Sequence, residues 1–278
     1  KAASACATVD VKEFLKNDVL LVTELLIADG QVNAFVNADG KANYSVMPPS
    51  AEVDTSAFRL PVAELDIAKI ELANVHISYH DLPMKLKADL KEVHGRMNVK
   101  GLVDMFTGSL NLSTPSLTLD YDSVAYLAAV PTRITTDYSF DINRFILLLT
   151  ETEAELKELP FELQARVENN AVTGDLLLDI NFASKGKLPV KPALTLVPGA
   201  YKSYLEGMTL DGRAALSGSL KGKVNDTELP YLALKLDLEK GLFAYEGLAY
   251  KLRDMNGKAD LVFDLNDEAS WHILVNEF

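Results

Sequence analysis

Two histidines stand at the spacing of a metal site. His76 and His80 are four positions apart, the separation at which two imidazoles on one helix hold a zinc ion. The residues around them alternate between apolar and polar with a period of two, which predicts a strand instead. Four residues of a strand span roughly 13 Å, too far for one ion to bridge. His94 and His272 have no partner at ligand spacing, so we expect no metal site.

Carboxylates and hydroxyls are plentiful, but they do not fall into a catalytic pattern. A glycosidase needs two carboxylates across a cleft, whereas Asp175, Asp179, Asp237 and Glu239 occupy the polar phase of alternating segments. The spacings Gly-x-Ser-x-Gly, Gly-x-Gly-x-x-Gly and the P-loop do not occur. Cys6 is the single cysteine and cannot form an intramolecular disulfide. We therefore expect neither an enzyme nor a cofactor.

Aromatic residues leave one binding function open. Tyr201, Tyr204 and Trp271 could stack on sugar rings, and together with the acidic residues they keep a carbohydrate-binding protein as an alternative. The same residues also suit the core or the rim of a β-sheet, because aromatic side chains bury a large apolar area.

The charge balance argues against nucleic acid. The chain has 278 residues and a net charge of −13 at pH 7, so it repels phosphate backbones and offers no polybasic footing on an anionic membrane. No apolar run approaches the roughly 20 residues of a membrane-spanning helix. Residue 1 is not methionine, and we expect that an N-terminal segment is missing.

A two-residue alternation of apolar and polar residues dominates the chain. Residues 172–182 and 210–220 show it most clearly, and it predicts strands with one apolar face and one polar face. The phase slips near Lys69 and Asn74, which predicts a bulge or turn at each. Asp29-Gly30 predicts a hairpin turn between two strands, at 19–28 and 31–37.

Helical signals are few. Residues 11–17 follow a capping-box pattern and predict a short helix. Residues 193–206 place apolar side chains at helical spacing, kinked at Pro198-Gly199, and 124–130 suggests a brief helical turn before Pro131. Because connections are short and crossover helices nearly absent, we expect antiparallel pairing.

These patterns predict a mainly β protein, with a few short helices and a long curved antiparallel sheet that forms an open groove or a half-open sandwich. Residues 1–278 form one β-groove region, with a weak subdivision near 185–192. The apolar face needs a cover, and periodicity alone leaves two: a closed sandwich, acting as a structural or adhesive module without ligand, or an open groove that holds acyl chains.

Several segments in order resemble one family. They are 37–44 (NADGKANY), 194–201 (LTLVPGAY) with 205–207 (LEG), 218–223 (GSLKGK) and 238–245 (LEKGLFAY). Together they are similar to the hairpin and helix motifs of the AsmA family of envelope proteins, over roughly 10–265. After Tyr245 the chain reads EGLA, where the family usually has an acidic or polar residue and Leu-Pro, so this turn departs from the pattern.

The resemblance implies a function in the Gram-negative cell envelope. AsmA-like proteins are related to the chorein-type bridge-like lipid transfer proteins, whose curved sheet lines an apolar groove. By this resemblance the chain is periplasmic and belongs to a protein held in the inner membrane by an N-terminal anchor absent from this chain. Its implied partner is a phospholipid or another acyl-chain lipid, and its implied role is lipid transport in outer-membrane biogenesis or maintenance.

If the apolar face holds lipid, the phase of the alternation selects the residues that meet the acyl chains. We predict this role for Leu176, Leu178, Ile180, Leu216, Leu220, Leu234, Leu236, Leu261 and Phe263.

Overall fold

The computed structural model of the chain describes residues 2–10, 12, 15–16, 19–43, 64–102, 104–170, 173–225 and 227–277. These residues form a mainly β protein built on a single 14-stranded sheet, which confirms the predicted fold class. The strands are β1 (Ala2–Val9), β2 (Val19–Val36), β3 (Glu64–Asp81), β4 (Leu86–Leu102), β5 (Met105–Tyr121), β6 (Val124–Asp141), β7 (Ile146–Leu156), β8 (Leu159–Asn169), β9 (Leu176–Ser184), β10 (Leu188–Pro189), β11 (Met208–Val224), β12 (Tyr231–Tyr245), β13 (Leu252–Asp264) and β14 (His272–Glu277).

The strands follow one another across the sheet almost in chain order. From β1 to β9 each strand lies beside the next, then β11 to β14 continue the row, and the two-residue β10 pairs with β11. Among the described strands no second layer lies on the sheet, and β1 and β14 form its two free edges. The sheet is therefore open, and the alternative of a closed sandwich is wrong for this part of the chain.

One pair departs from the predicted antiparallel arrangement. β2 and β3 run parallel, with Val19 opposite Glu64 and Val36 opposite Asp81, whereas the other described pairs are antiparallel. Parallel neighbours require a long connection that returns the chain to the starting end of the sheet. Residues 37–63 make that connection, and 44–63 lie outside the described residues.

The predicted hairpin at Asp29-Gly30 is wrong. Residues 19–36 form one continuous strand, paired on both sides of the predicted turn, with Ala28 opposite Ser4 and Gln31 opposite His76. Asp29 has φ 49°, so the left-handed backbone that Asp-Gly favours is used here inside a continuous strand, where the Asn74 side-chain amide of β3 donates to the Asp29 carboxylate (2.6 Å). The predicted helical turn at 124–130 is also wrong, since β6 runs through it with a similar left-handed residue at Ala129 (φ 53°).

The predicted bulges near Lys69 and Asn74 are confirmed. The register of β3 against β4 shifts between Ile67 and Ile70 and again between Leu72 and Val75. Asn74 has φ 55°, so the second shift is a bulge with a left-handed residue. Each bulge adds one residue to its strand, which restores the apolar side chains to the same face beyond it.

Among the described residues, helical structure is confined to short segments. The predicted helical region at 193–206 is confirmed as α1 (Val190–Ala193), followed by 3₁₀ turns at Leu194–Leu196 and Gly199–Leu205. A further 3₁₀ turn lies at Glu268–Ser270. Of the predicted helix at 11–17, the structure describes Lys12, Leu15 and Lys16, which are helical, and the rest lies outside the described residues.

Candidate functional site

One face of the sheet is apolar from its first strand to its last. In the first half, Ala7, Leu25, Ile70, Met97 and Leu110 occupy successive paired positions from β1 to β5. In the second half a parallel row on the same face runs through Leu149, Ala165, Ile180, Leu220, Leu232 and Phe263 on β7, β8, β9, β11, β12 and β13. On β6, Tyr138 joins the two halves, since it lies opposite Leu149 and opposite Gly108, two residues from Leu110. We call the sheet surface that carries these residues the groove face and the opposite surface the outer face.

The groove face carries almost no charge. Its described strand positions hold neither lysine nor arginine. Their one acidic residue is Asp81, at the end of β3. Asp81 is buried and accepts hydrogen bonds from the Tyr79 hydroxyl (2.8 Å) and the Met84 backbone N–H (2.9 Å). It therefore fixes the turn between β3 and β4, and the rest of the face is free of charge.

The middle of the groove face holds its most buried residues. Val75 and Val93 lie directly opposite each other on β3 and β4, and both are 0% exposed. Their neighbours on the same face, Leu72 and Ile77, remain partly exposed. No other described element covers these valines, and the register of β3 against β4 shifts on either side of Val75, so the strands bend at this point. The bend coincides with left-handed residues at Asn74 and Glu92 (φ 49°), because a bulge bends its strand.

The line of bulges crosses most of the sheet. Buried groove-face residues follow it from strand to strand, and we call this set the floor: Gly30, Val75, Val93, Thr114, Val130, Thr132, Thr136, Thr152 and Ala165. Register shifts next to Thr114 on β5, between Thr135 and Asp137 on β6, and between Leu149 and Thr152 on β7 mark the same line. The floor thus separates the two walls of a groove that runs across the strands.

Threonine hydroxyls on the floor are used within the sheet. A bulge leaves backbone groups without a ladder partner, and burying such a group unpaired is costly. The Thr114 hydroxyl donates to the Lys91 carbonyl on the neighbouring strand (2.5 Å), and the hydroxyls of Thr136 and Thr152 share a hydrogen bond of 2.6 Å. Because these polar atoms are satisfied, they add no binding group to the groove.

Glycines let large side chains lie flat on the groove face. Tyr138 extends from β6 over Gly108 of β5 and donates its hydroxyl to the Asn98 carbonyl on β4 (2.7 Å). A Cβ on Gly108 would lie 2.7 Å from the Tyr138 oxygen. Gly218 of β11 has Phe182 on one side and Leu234 on the other, and a Cβ there would lie 2.7 Å from each. Large side chains of neighbouring strands therefore contact one another across the groove face.

The nine predicted lipid-facing residues all lie on this face. Pairing places Ile180 opposite Leu220, Leu216 opposite Leu236 and Leu234 opposite Leu261, and the remaining three share their phase. Each of the nine is partly exposed. The sequence reasoning placed them together correctly, and their contact with lipid stays a prediction.

The first half of the groove face was missed. Leu25, Ile70, Met97 and Leu110 form a row of paired apolar residues on the same face. Each of these residues lies in an alternating segment of the sequence. However, a bulge shifts by one residue the sequence positions that face the groove, so the alternation changes phase partway along the strand. Linking them to the C-terminal residues requires the strand register, which alternation does not supply.

The helical region 190–205 fills a gap between long strands. β7, β8 and β9 are shorter than β6 and β11, and across their ends α1 packs against β11 while the 3₁₀ turns contact β6. Lys157, in the turn between β7 and β8, reaches the Thr195 hydroxyl (3.3 Å). The region thus closes a notch in one margin of the sheet.

The outer face carries the charges in paired rows. Asp179 contacts Lys221 (2.9 Å), and Lys187 lies between Asp237 (3.1 Å) and Glu239 (3.3 Å). The carboxylates that the sequence assigned to the polar phase are thus bound to lysines across the strands. Such exposed pairs add little stability each.

Asp175 has the most perturbed carboxyl group. Hydrogen bonds from the Thr173 hydroxyl (2.6 Å) and the Asn225 amide (2.8 Å), with Lys223 at 3.0 Å, lower the pKa of Asp175 to about 2. Bonding to the charged form favours that form. The cluster ties the start of β9 to the end of β11, so the shift has a structural origin.

The histidines and aromatic residues have structural partners. His76 contacts Asp89 (2.6 Å), and His80 packs edge-on against Phe35. The Trp271 indole N–H donates to the Asp264 carbonyl (2.8 Å) while its ring lies 5.2 Å from that of Phe263. The side chains of Tyr201 and Tyr204 lie outside the described residues.

The described residues hold neither a cluster of metal ligands nor a membrane-spanning helix. They contain no group of three or more metal-ligating side chains, and none of their helices is long and apolar enough to cross a membrane. Comparison with known proteins gave no match to a protein family, to a curated protein or to a solved structure. The geometry of the groove face is therefore the basis for a functional proposal.

Proposed function

We propose that this chain is a lipid-binding and lipid-transfer module that holds acyl chains on its groove face. One observation carries the proposal: a continuous, nearly uncharged apolar surface crosses the sheet, and no other described element covers it. Apolar surfaces of this extent on soluble proteins usually mark a binding site.

The dimensions suit acyl chains lying across the strands. Thirteen strands in a row at a spacing of about 4.8 Å make the groove about 58 Å long. The acyl chains of one membrane leaflet are about 15 Å long, half of a hydrocarbon core of about 30 Å. The groove therefore has room for several lipids in succession.

The chemistry of the face suits the apolar part of a lipid and not its head group. Each CH₂ group removed from water contributes about 0.8 kcal/mol, and residues such as Leu216, Leu220 and Phe263 supply the surface. A charged head group would find neither a lysine nor an arginine at the described groove-face positions, and burying it unpaired is costly. Head groups therefore remain in water outside the groove, and lipid moves by sliding along a face without specific contacts.

The resemblance of the sequence to the AsmA family extends this proposal to the cell. On that basis we place the chain in the periplasm of a Gram-negative bacterium, as part of a protein anchored in the inner membrane. Its role there is to move phospholipid between membranes for outer-membrane biogenesis or maintenance.

Lipid recovered from the purified protein tests the proposal. We expect native mass spectrometry after gentle purification to show adducts of phospholipid mass, and solvent extraction to yield the same lipids. We also expect a fluorescent phospholipid to bind and an unlabelled one to displace it. Absence of co-purified lipid, together with fluorescent-lipid binding at the level of a non-binding control protein, would contradict the proposal.

A further inference from the structure

The turn between β12 and β13 exposes a cluster of apolar side chains. Leu248 is 60% exposed, Tyr250 is 85% exposed and Leu252 is 50% exposed. Tyr245, at the end of β12, and Met208, opposite it on β11, are also exposed. Single exposed apolar residues are common, but five within one turn and its base form a patch.

The patch continues the groove face. Leu252 lies opposite Phe243, and Tyr245 lies opposite Met208, at groove-face positions beyond the bulges of β11 and β12. Leu248 and Tyr250 lie in the turn itself, just past the strand ends. An apolar path therefore leads from the inside of the groove to the tip of this hairpin.

The charges around the patch suit a membrane surface. Lys251 and Arg253 flank Leu252 and are exposed, and their long side chains can keep the charge in water while the aliphatic part lies in an apolar layer. Glu246 and Asp254 border the same turn and are exposed too. Tyrosine favours the boundary between hydrocarbon and head groups, because its ring is apolar and its hydroxyl polar.

We propose that the β12–β13 hairpin tip inserts into the surface of a lipid bilayer and forms the corner at which lipid enters or leaves the groove. This inference rests on the proposed lipid-binding function and adds the place where groove and membrane meet. Insertion is driven by Leu248, Tyr250 and Leu252, while Lys251 and Arg253 lie at the level of the phosphates.

A bilayer fits this patch better than a protein partner does. Stable protein interfaces bury about 800 Å² on each partner and involve about 20 residues, whereas the patch comprises five side chains at the margin of the sheet. A bilayer needs no complementary shape, and a few apolar side chains suffice for reversible attachment.

Vesicle binding tests the hairpin directly. We expect the wild-type chain to float with vesicles of phosphatidylethanolamine and phosphatidylglycerol in a density gradient. Leu248→Asp and Tyr250→Asp should each reduce the bound fraction about tenfold, since each exchanges an inserted apolar group for a charge. Leu177→Asp is the matched control, because Leu177 is 45% exposed on the outer face and should leave vesicle binding unchanged.

Capture of a fluorescent phospholipid supplied without vesicles separates this inference from the proposed function. Leu248→Asp should capture lipid as the wild type does, because the interior of the groove is intact. If Leu248→Asp and Leu177→Asp bind vesicles equally well, or if the wild type captures free lipid but does not bind vesicles, the membrane role of the hairpin is wrong. If the wild type captures no lipid at all, the proposed function fails instead.

Discussion

A single charge on the groove wall distinguishes an open groove from a sealed core. Leu216 lies on β11 opposite Leu236, is partly exposed, and has its backbone N–H bonded to the Ser184 hydroxyl (3.0 Å). We predict that Leu216→Asp leaves the protein folded and weakens lipid capture.

The expected cost of Leu216→Asp follows from its exposure. Full burial of a leucine contributes about 1.5–3 kcal/mol, and a partly exposed one contributes less, so its loss costs about 1–2 kcal/mol. An aspartate at this position reaches water through the open groove. In a sealed core, the unpaired charge would cost more than about 3–5 kcal/mol, a large part of the roughly 5–15 kcal/mol that stabilises a typical domain.

Urea unfolding followed by circular dichroism measures the cost, and fluorescent-lipid capture measures binding. Ser217→Asp is the matched control: it places the same charge one residue away on the outer face, opposite Lys235, and should keep both stability and binding. An unfolded Leu216→Asp protein would show that the face is sealed, and a folded variant that binds lipid normally would show that lipid lies elsewhere.

Three further predictions concern the floor, the glycine contacts and the outer face. Val93→Ala should lower the free energy of unfolding, measured in urea, by about 2 kcal/mol, because Val93 is 0% exposed. Val32→Ala, at a residue that is 45% exposed, should change it by less than about 0.5 kcal/mol, and equal effects of the two substitutions would contradict a buried floor. Gly218→Ala should lower the free energy of unfolding by about 1–3 kcal/mol in the same assay, since its Cβ would lie 2.7 Å from neighbouring atoms. Gly199→Ala, with open space around the new Cβ, should leave the stability unchanged, and an unchanged stability of Gly218→Ala would refute the close packing. The pKa of Asp175 is lowered to about 2, so the carboxylate stabilises the fold above a pH of about 3.9, its pKa in the unfolded chain, and this contribution disappears as the pH falls through about 2. The difference in stability between wild type and Asp175→Asn should therefore shrink between these two pH values, and a difference independent of pH would count against the lowered pKa.

The alternation of residues predicted the faces of the sheet better than its connectivity. Nine apolar residues chosen by phase lie on one face, and the slip at Asn74 is a bulge. The parallel pairing of β2 and β3 could not be predicted, because periodicity describes one strand and not its neighbour. The predicted hairpin at Asp29-Gly30 was wrong for a related reason, since a tight turn and a left-handed residue within a strand use the same backbone conformation.

The extent to which each groove-face residue is buried also could not be predicted from the sequence. Val32 and Val75 are both valines in the groove-face phase of neighbouring strands, yet one is 45% exposed and the other 0%. The difference arises from the bend at the floor, which depends on bulges in several strands at once. Similarly, the exposed cluster at Leu248 and Tyr250 follows from the place of one turn at the sheet margin, and its residue types alone do not reveal it.

The order of the strands has a consequence for how the molecule unfolds. Most strands contact only the strands next to them along the chain, so the sheet behaves as a nearly one-dimensional array, as solenoid repeats do. Its stability is then a sum of nearest-neighbour terms, and opening begins at the ends, where β1 and β14 each have one neighbour. Amide hydrogen exchange should therefore slow gradually from both edges toward the middle, and a hairpin added to such an array would lengthen it without altering its cross-section.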